Sequence, residues 1–308
     1  MRFTNHSLFE ITKQLLEQLK QLNTDETLEF EVLNPDYCNS TYSGNKIIIE
    51  DTEFIYRSLK AYTDLCELMF CKMLMPIAKS EKIAIIRFKK LNNKESFHQA
   101  LLSQEKYGSQ SIFSQIHKNE EPAFLMPYVK ALQSVNINKR IRILNLGINS
   151  GDEFEVIKKY TSEFENLELI GIDYCKSAIE EAQTKFKNNN IKFIQHDINH
   201  LEELNLGTFD LIISIGTLQS SNIDFKLTFM SLVQNYLKKE GAMILAFPNC
   251  RWIDGEMIYG AKVKNYNYSE LSLLVKDAHF CKKYLQQKKF RVTLTGKNYI
   301  FLTATSIR

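Results

Sequence analysis

Leu8, Ile11, Leu15, Leu16, Leu19 and Leu22 fall at the spacing of one helical face, so residues 7–22 predict an amphipathic helix. Leu28, Phe30 and Val32 then alternate with Glu29 and Glu31, the period of a strand with one buried face. Asn34-Pro35-Asp36 turns the chain, Tyr42-Ser43-Gly44-Asn45 turns it again, and residues 46–50 predict a second short strand. Asp51-Thr52 offers a cap for a long helix reaching about Leu74. Met69, Phe70, Met73 and Leu74 would form its apolar stripe, and Pro76 would stop it. Residues 83–88 read as a compact apolar strand, and 95–106 and 122–134 have helical spacing. Residues 1–140 are therefore expected to form an N-terminal α+β accessory domain.

From Arg142 onward the rhythm changes. Strand-like runs stand at 141–146 (IRILNL), 167–172 (LELIGI), 191–194 (IKFI), 209–215 (FDLIISI), 242–247 (AMILAF), 290–295 (FRVTLT) and 299–305 (YIFLTAT). Helical patterns at 152–164, 176–187, 226–238 and 269–288 separate most of them. Such alternation predicts a parallel sheet with helices on both faces. The last two runs are an exception. Only Gly296-Lys297-Asn298 joins them, too short for a parallel crossover, so this pair must be antiparallel. The expected fold of 141–308 is α/β, a seven-stranded and mostly parallel sheet with an antiparallel terminal hairpin.

Composition narrows the function classes. A chain of 308 residues with 44% apolar and 24% charged residues suits two globular domains and excludes disorder. A formal charge of +3 excludes a chain that attracts polyanions over its whole surface. Charge is uneven, however: 141–261 is acidic and 262–308 basic, with Lys282, Lys283, Lys288, Lys289 and Arg291 clustered. The six cysteines are scattered without a C-x-x-C pair, which argues against disulfides or structural zinc and for a reducing compartment. His98 and His117 have no partners at ligand spacing, so no metal is expected. No apolar stretch reaches the ~18 residues of a membrane span. The N-terminus does not read as a signal peptide. The expectation is a soluble cytoplasmic protein with no membrane partner.

The candidate chemistry gathers where strands run into loops. Strand 141–146 opens into Gly147-Ile148-Asn149-Ser150-Gly151 and then a helix. Glycine allows a sharp backbone turn there, and a ligand can approach free N–H groups at the helix start. Asp173 ends the next strand, where a carboxylate can accept both ribose hydroxyls of a nucleoside. Asp197 follows the third strand and can accept from an exocyclic amine, with Ile198 beside it as an apolar surface for a base. Strand 209–215, begun by Phe209-Asp210, opens into the small polar loop Gly216-Thr217-Leu218-Gln219-Ser220. Ligands of open α/β sheets sit outside the carboxyl ends of the strands.

In these features, and in the turn 237–241 (LKKEG) before strand five, the chain resembles the class I S-adenosylmethionine-dependent methyltransferases over about 141–305. The resemblance implies a Rossmann-like fold, with the antiparallel hairpin as the family's usual ending, and S-adenosyl-L-methionine as cofactor. Asn145, Gly147, Asn149 and Gly151 would pass under the methionine portion. Asp173, with Tyr174 next to it, would hold the ribose, and Asp197 with Ile198 the adenine. Ser214, Ile215 and Gly216 would line the methyl side. Two positions depart from the family pattern. Asn145 stands where an acid is usual, and Asn149, which tolerates left-handed angles, stands where a glycine is usual.

The expected activity is methyl transfer to an O or N acceptor, with catalysis by positioning and no assigned catalytic residue. Thr217, Gln219, Arg251 and Trp252 are the substrate-side candidates. The loop after strand four lacks the Asn/Asp-Pro-Pro-Tyr/Phe of base-amino methyltransferases and the Pro-Cys of C5-pyrimidine enzymes. Two alternatives stay open: an RNA methyltransferase that uses the basic C-terminal region, and a non-catalytic module that binds S-adenosylmethionine or a nucleotide. An NAD-dependent oxidoreductase fits less well, because Gly147-x-x-x-Gly151 lacks the third, packing glycine.

Overall fold

The computed structural model describes residues 1–38, 41–92, 108, 111–220, 222–253, 256–259 and 272–307, with the backbone alone at 112–113, 250–253, 256–259 and 272–273. The chain divides into two compact units. One is Met1–Glu95 with Trp252–Tyr259, and the other is Ser96–Arg251 with Gly260–Arg308. Helix 122–134 packs its Phe124 and Tyr128 rings on Phe301 of the large sheet.

In the first unit, α1 (Leu8–Gln21) starts at a reciprocal cap between Ser7 and Glu10 and buries Ile11, Leu15 and Leu19. The strands are β1 (Thr27–Leu33), β2 (Lys46–Ile49), β3 (Thr52–Ile55), β4 (Cys71–Ala78) and β5 (Ile83–Lys90), with α2 (Leu59–Leu68) before β4. They form an antiparallel sheet in the order β1-β5-β4 and a separate β2-β3 hairpin. The long helix expected from Asp51 to Leu74 is not there. Glu50 and Asp51 both take positive φ, 48° and 61°, and turn β2 back onto β3. Phe70, at φ 55°, ends α2. Pro76 sits in edge strand β4 at the irregularity between Leu74 and Ile77, where its missing N–H costs no ladder bond. The helix expected at 95–106 lies outside the described residues.

The second unit begins with α3 (Pro122–Ser134). It continues through β6 (Arg142–Leu146), α4 (Asp152–Tyr160), β7 (Glu168–Asp173), α5 (Lys176–Lys185), β8 (Ile191–Gln195), β9 (Phe209–Ile215), α6 (Phe225–Ser231) and β10 (Leu237–Pro248). A short pair, β11 (Cys250–Ile253) and β12 (Glu256–Tyr259), follows β10; α7 (Ser272–Gln287), β13 (Phe290–Thr295) and β14 (Tyr299–Ser306) complete the chain. The sheet has seven strands in the order β13-β14-β10-β9-β6-β7-β8. Strands β6 to β10 pair in parallel, whereas β14 runs antiparallel to both β10 and β13, as the short connection required.

Each face buries its own core. Leu144, Leu146, Ile170 and Ile172 meet Phe229 of α6 and Leu285 of α7 on one side. Ile143, Leu169 and Ile213 meet Phe124 of α3, Phe154 of α4 and Ile179 of α5 on the other. The chain after β6 leaves to the second face and the chain after β9 to the first. A crevice therefore opens between their carboxyl ends, the usual ligand position in such sheets.

Glu155 ties α4 to α5 through Lys159 at 2.7 Å and Lys185 at 2.6 Å. The hydrogen bonds from Lys159 and Lys185 pull its carboxyl down to about 2. A depressed acid adds stability above its unfolded pKa and loses it as pH falls through the folded value. Glu155→Gln should lower unfolding free energy at pH 7 by about 1 kcal/mol, the value left after solvent screening of a surface cluster. The deficit should shrink below about pH 4.5. Urea unfolding at pH 7 and pH 3 measures it, and an equal deficit at both would count against the ion-pair account.

Candidate active site

The carboxyl ends of β6, β7, β8 and β9 bring most of the expected residues to one rim. At Gly147 the chain turns with φ 73°, and its N–H donates to the Ile172 carbonyl at 2.8 Å. A Cβ there would stand 1.9 Å from Thr217 Oγ1, so glycine lets the loop after β9 lie directly on the loop after β6. Asn149 adopts the left-handed conformation, φ 48°, and its Oδ1 accepts from Ser150 N at 2.8 Å. Gly151, φ 92°, caps α4, and a Cβ would press on the Phe186 ring at 2.5 Å.

Asp173 fastens this loop to the next. Its Oδ2 accepts from Asn149 N and its Oδ1 from Cys175 N, both at 2.9 Å. Burial pushes its carboxyl above the usual range, while those amides and the charge of Lys118 pull it back. Tyr174 is exposed beside it. Across the rim, Asp197 Oδ1 accepts from Asn199 N at 2.9 Å and from Asn199 Nδ2 at 3.0 Å. Ile198 is buried, in the core cluster with Leu201 and Leu206.

On the β9 side, Ser214 and Ile215 are buried, and Ser214 Oγ has no partner among the described residues. Gly216 turns the chain at φ 74° and donates to the Ala246 carbonyl at 2.8 Å. Thr217 is half-buried and Gln219 exposed. Arg251 and Trp252 fall in β11, where the side chains lie outside the described residues. Arg251 falls in the second unit and Trp252 in the first.

Two sequence features lie elsewhere. Asp210 is at the amino end of β9, where its carboxylate accepts from Arg142 N and Lys238 Nζ, so it braces the sheet at the edge opposite the crevice. Since β13 runs in the same sense as β10, Lys288, Lys289 and Arg291 also belong to that far edge.

Three residues that the sequence pattern did not single out stand close to the glycine loop. Lys118, in a 3-10 turn before α3, donates to Glu153 Oε1 at 2.7 Å, and Asn119 donates to the Asp152 carbonyl at 3.0 Å. Glu153, in the first turn of α4, is 0% exposed. Burial works against the charge of Lys118, yet Glu153 and Asp152 outweigh it and hold its pKa above the ordinary value. The available signal was Glu153 itself. It shares the helical spacing of the buried Val156 and Ile157, where a charge is unexpected without a partner. Asn145 is likewise 0% exposed, and neither its Oδ1 nor its Nδ2 has a partner among the described residues.

A family described as a methyltransferase domain matches residues 137–295, just over half of the chain. The chain belongs to the methyltransferase domain family. No curated protein matches it in sequence.

Solved structures resemble the methyltransferase domain at low identity. An O-methyltransferase family protein from Burkholderia thailandensis is 11% identical over 66% of this chain and 62% of its own, with a TM-score of 0.45. The chain thus spans less than two thirds of that protein. A SAM-dependent methyltransferase from Aquifex aeolicus is 14% identical over 63% of this chain and 98% of its own, with a TM-score of 0.44. The 1,6-didemethyltoxoflavin-N1-methyltransferase of Burkholderia thailandensis, solved with bound 1,6-didemethyltoxoflavin and S-adenosylhomocysteine, is 14% identical over 63% of this chain and 83% of its own, with a TM-score of 0.42.

Among the described residues, no helix is long and apolar enough to cross a membrane, and no group of three or more His, Cys, Asp and Glu could hold a metal ion. Cys38, Cys66, Cys71, Cys175 and Cys281 are free thiols.

Proposed function

We propose that this chain transfers the methyl group of S-adenosylmethionine to an oxygen or nitrogen acceptor, with the donor laid across the rim from β6 to β8. The observation that carries the reading is Asp173, a largely buried carboxylate that already clamps the glycine loop through Asn149 N and the start of α5 through Cys175 N. Beyond these amides and that of Tyr174, the carboxylate keeps acceptor capacity for a ribose hydroxyl. Asp197 Oδ1 takes both bonds from Asn199, which leaves Oδ2 to accept from the adenine amine. Gly147 and Gly151 let the loop pack directly against Thr217 and Phe186, the backbone path that would cradle the ligand's amino-acid arm. The partnerless Ser214 Oγ and Asn145 amide are buried polar groups of the kind a polar ligand satisfies.

When bound, the donor supplies an electrophilic methyl group on a cationic sulfur. The chain then has to align, shield and desolvate. Residues 214–220 (SIGTLQS) contain no Asp, Glu, His, Cys or Lys. The loop that would face the methyl group therefore orients by hydroxyl and amide groups, Thr217 and Gln219 foremost, and holds no carboxylate, imidazole, thiol or amine to act as a general base. An acceptor whose proton leaves readily to water fits such a site.

Calorimetric titration with S-adenosylhomocysteine tests the donor site directly. Saturable one-to-one binding is expected. Absence of binding at about 1 mM ligand, a free energy weaker than about −4 kcal/mol, would overturn the reading.

A further inference from the structure

Resting on that donor reading, we infer that the buried pair Lys118–Glu153 is the receptor for the α-amino acid end of the donor. It supplies the charge that position 145 lacks in this chain.

The placement comes first. Asn145 shares the sheet face of Ile143, the face covered by α3 and α4. Glu153 is in the first turn of α4, directly after the glycine loop, and Lys118 is in the turn leading into α3. All three therefore belong to one layer at the carboxyl end of β6.

The second observation is an imbalance of hydrogen bonds. Glu153 Oε1 accepts from Lys118, but Oε2 is buried without a partner among the described residues. Asn119 Oδ1 is buried without one, and so are both Oδ1 and Nδ2 of Asn145. Three buried acceptors and one buried donor without partners among the described residues are costly. An α-amino acid answers that inventory. Its ammonium offers three N–H donors to Glu153 Oε2, Asn119 Oδ1 and Asn145 Oδ1. Its carboxylate accepts from Lys118 Nζ and Asn145 Nδ2. Because the two charges sit on one carbon, they match a lysine and a glutamate already in contact at 2.7 Å.

A buried ion pair that served only to lock α4 to the turn before α3 would stabilise little over an apolar pair and would need no further donors. The partnerless oxygens separate the two cases. A lock would satisfy its own atoms, whereas a receptor leaves atoms for its ligand.

The test compares two ligands that differ only at this end. S-adenosylhomocysteine has the amino acid, and 5′-methylthioadenosine keeps adenine, ribose and thioether without it. The wild-type protein should bind the first roughly 100-fold more tightly, the worth of about two charge-assisted hydrogen bonds. In the double variant Lys118→Met/Glu153→Gln, chosen because it leaves no unpaired buried charge, that ratio should fall to within about 3-fold. Affinity for 5′-methylthioadenosine should stay unchanged. An unaltered ratio would overturn the assignment, as would equal loss of both ligands, which would reveal a purely structural lock. If the wild type bound neither ligand, the donor reading itself would fail.

Discussion

Gly147→Ala should abolish measurable donor binding and lower the melting temperature by about 5–10 °C, which for a chain of this size corresponds to roughly 2–4 kcal/mol. Two costs add. The residue sits at φ 73°, where a side chain costs about 1–2 kcal/mol. The new Cβ would also stand 1.9 Å from Thr217 Oγ1 and 2.7 Å from Thr217 Cβ, and overpacking of this kind typically costs about 1–3 kcal/mol. The loops after β6 and β9 would have to separate, and that contact shapes the floor of the crevice. Thr217→Gly added to the variant removes the clash but not the backbone strain, so it should restore part of the melting temperature. Scanning calorimetry of the two variants distinguishes the contributions. A single variant that melts and binds like the wild type would show that the loop contact is dispensable.

Asp173→Ala should weaken S-adenosylhomocysteine roughly 100-fold, because it removes two charge-assisted bonds to a ribose diol and loosens the loop they rest on. The second effect follows from the bonds to Asn149 N and Cys175 N, which no alanine can accept. Acidification should do the same reversibly. Burial raises the carboxyl, so Asp173 takes up a proton at a higher pH than an exposed aspartate, and the protonated form accepts less well. Donor affinity should therefore fall as pH drops toward that range. In Asp173→Ala this component of the pH dependence should be gone. Isothermal titration across pH 4 to 8 reads both effects, and an affinity insensitive to the substitution would remove Asp173 from the site.

Much of this site was legible because local chemistry selects its residues. Asn149 and Gly151 have the positive φ that their types favour, and Asp173 ends β7 where a rim carboxylate was expected. Asp210, which begins β9, accepts from Arg142 N and braces the sheet at the end away from the rim. Lys118 was invisible, because its role depends on Glu153, a residue 35 positions away, and on the helix packing that joins them. Thr217 was chosen for its place after β9, but its contact with Gly147 could be seen only once both loops were folded.

Periodicity alone therefore determined the large sheet: seven apolar runs, helices between most of them, and a three-residue connection that forces the final strands antiparallel. These are consequences of backbone geometry and of burying one face or two, and they operate over a few residues at a time. Only the tertiary structure decided that 46–55 folds as a hairpin instead of opening a helix. It alone assigned helix 122–134 to the large sheet and paired a buried lysine with a buried glutamate. Those outcomes depend on which distant surfaces meet, and a burial pattern compatible with several partners carries no record of which one closes over it.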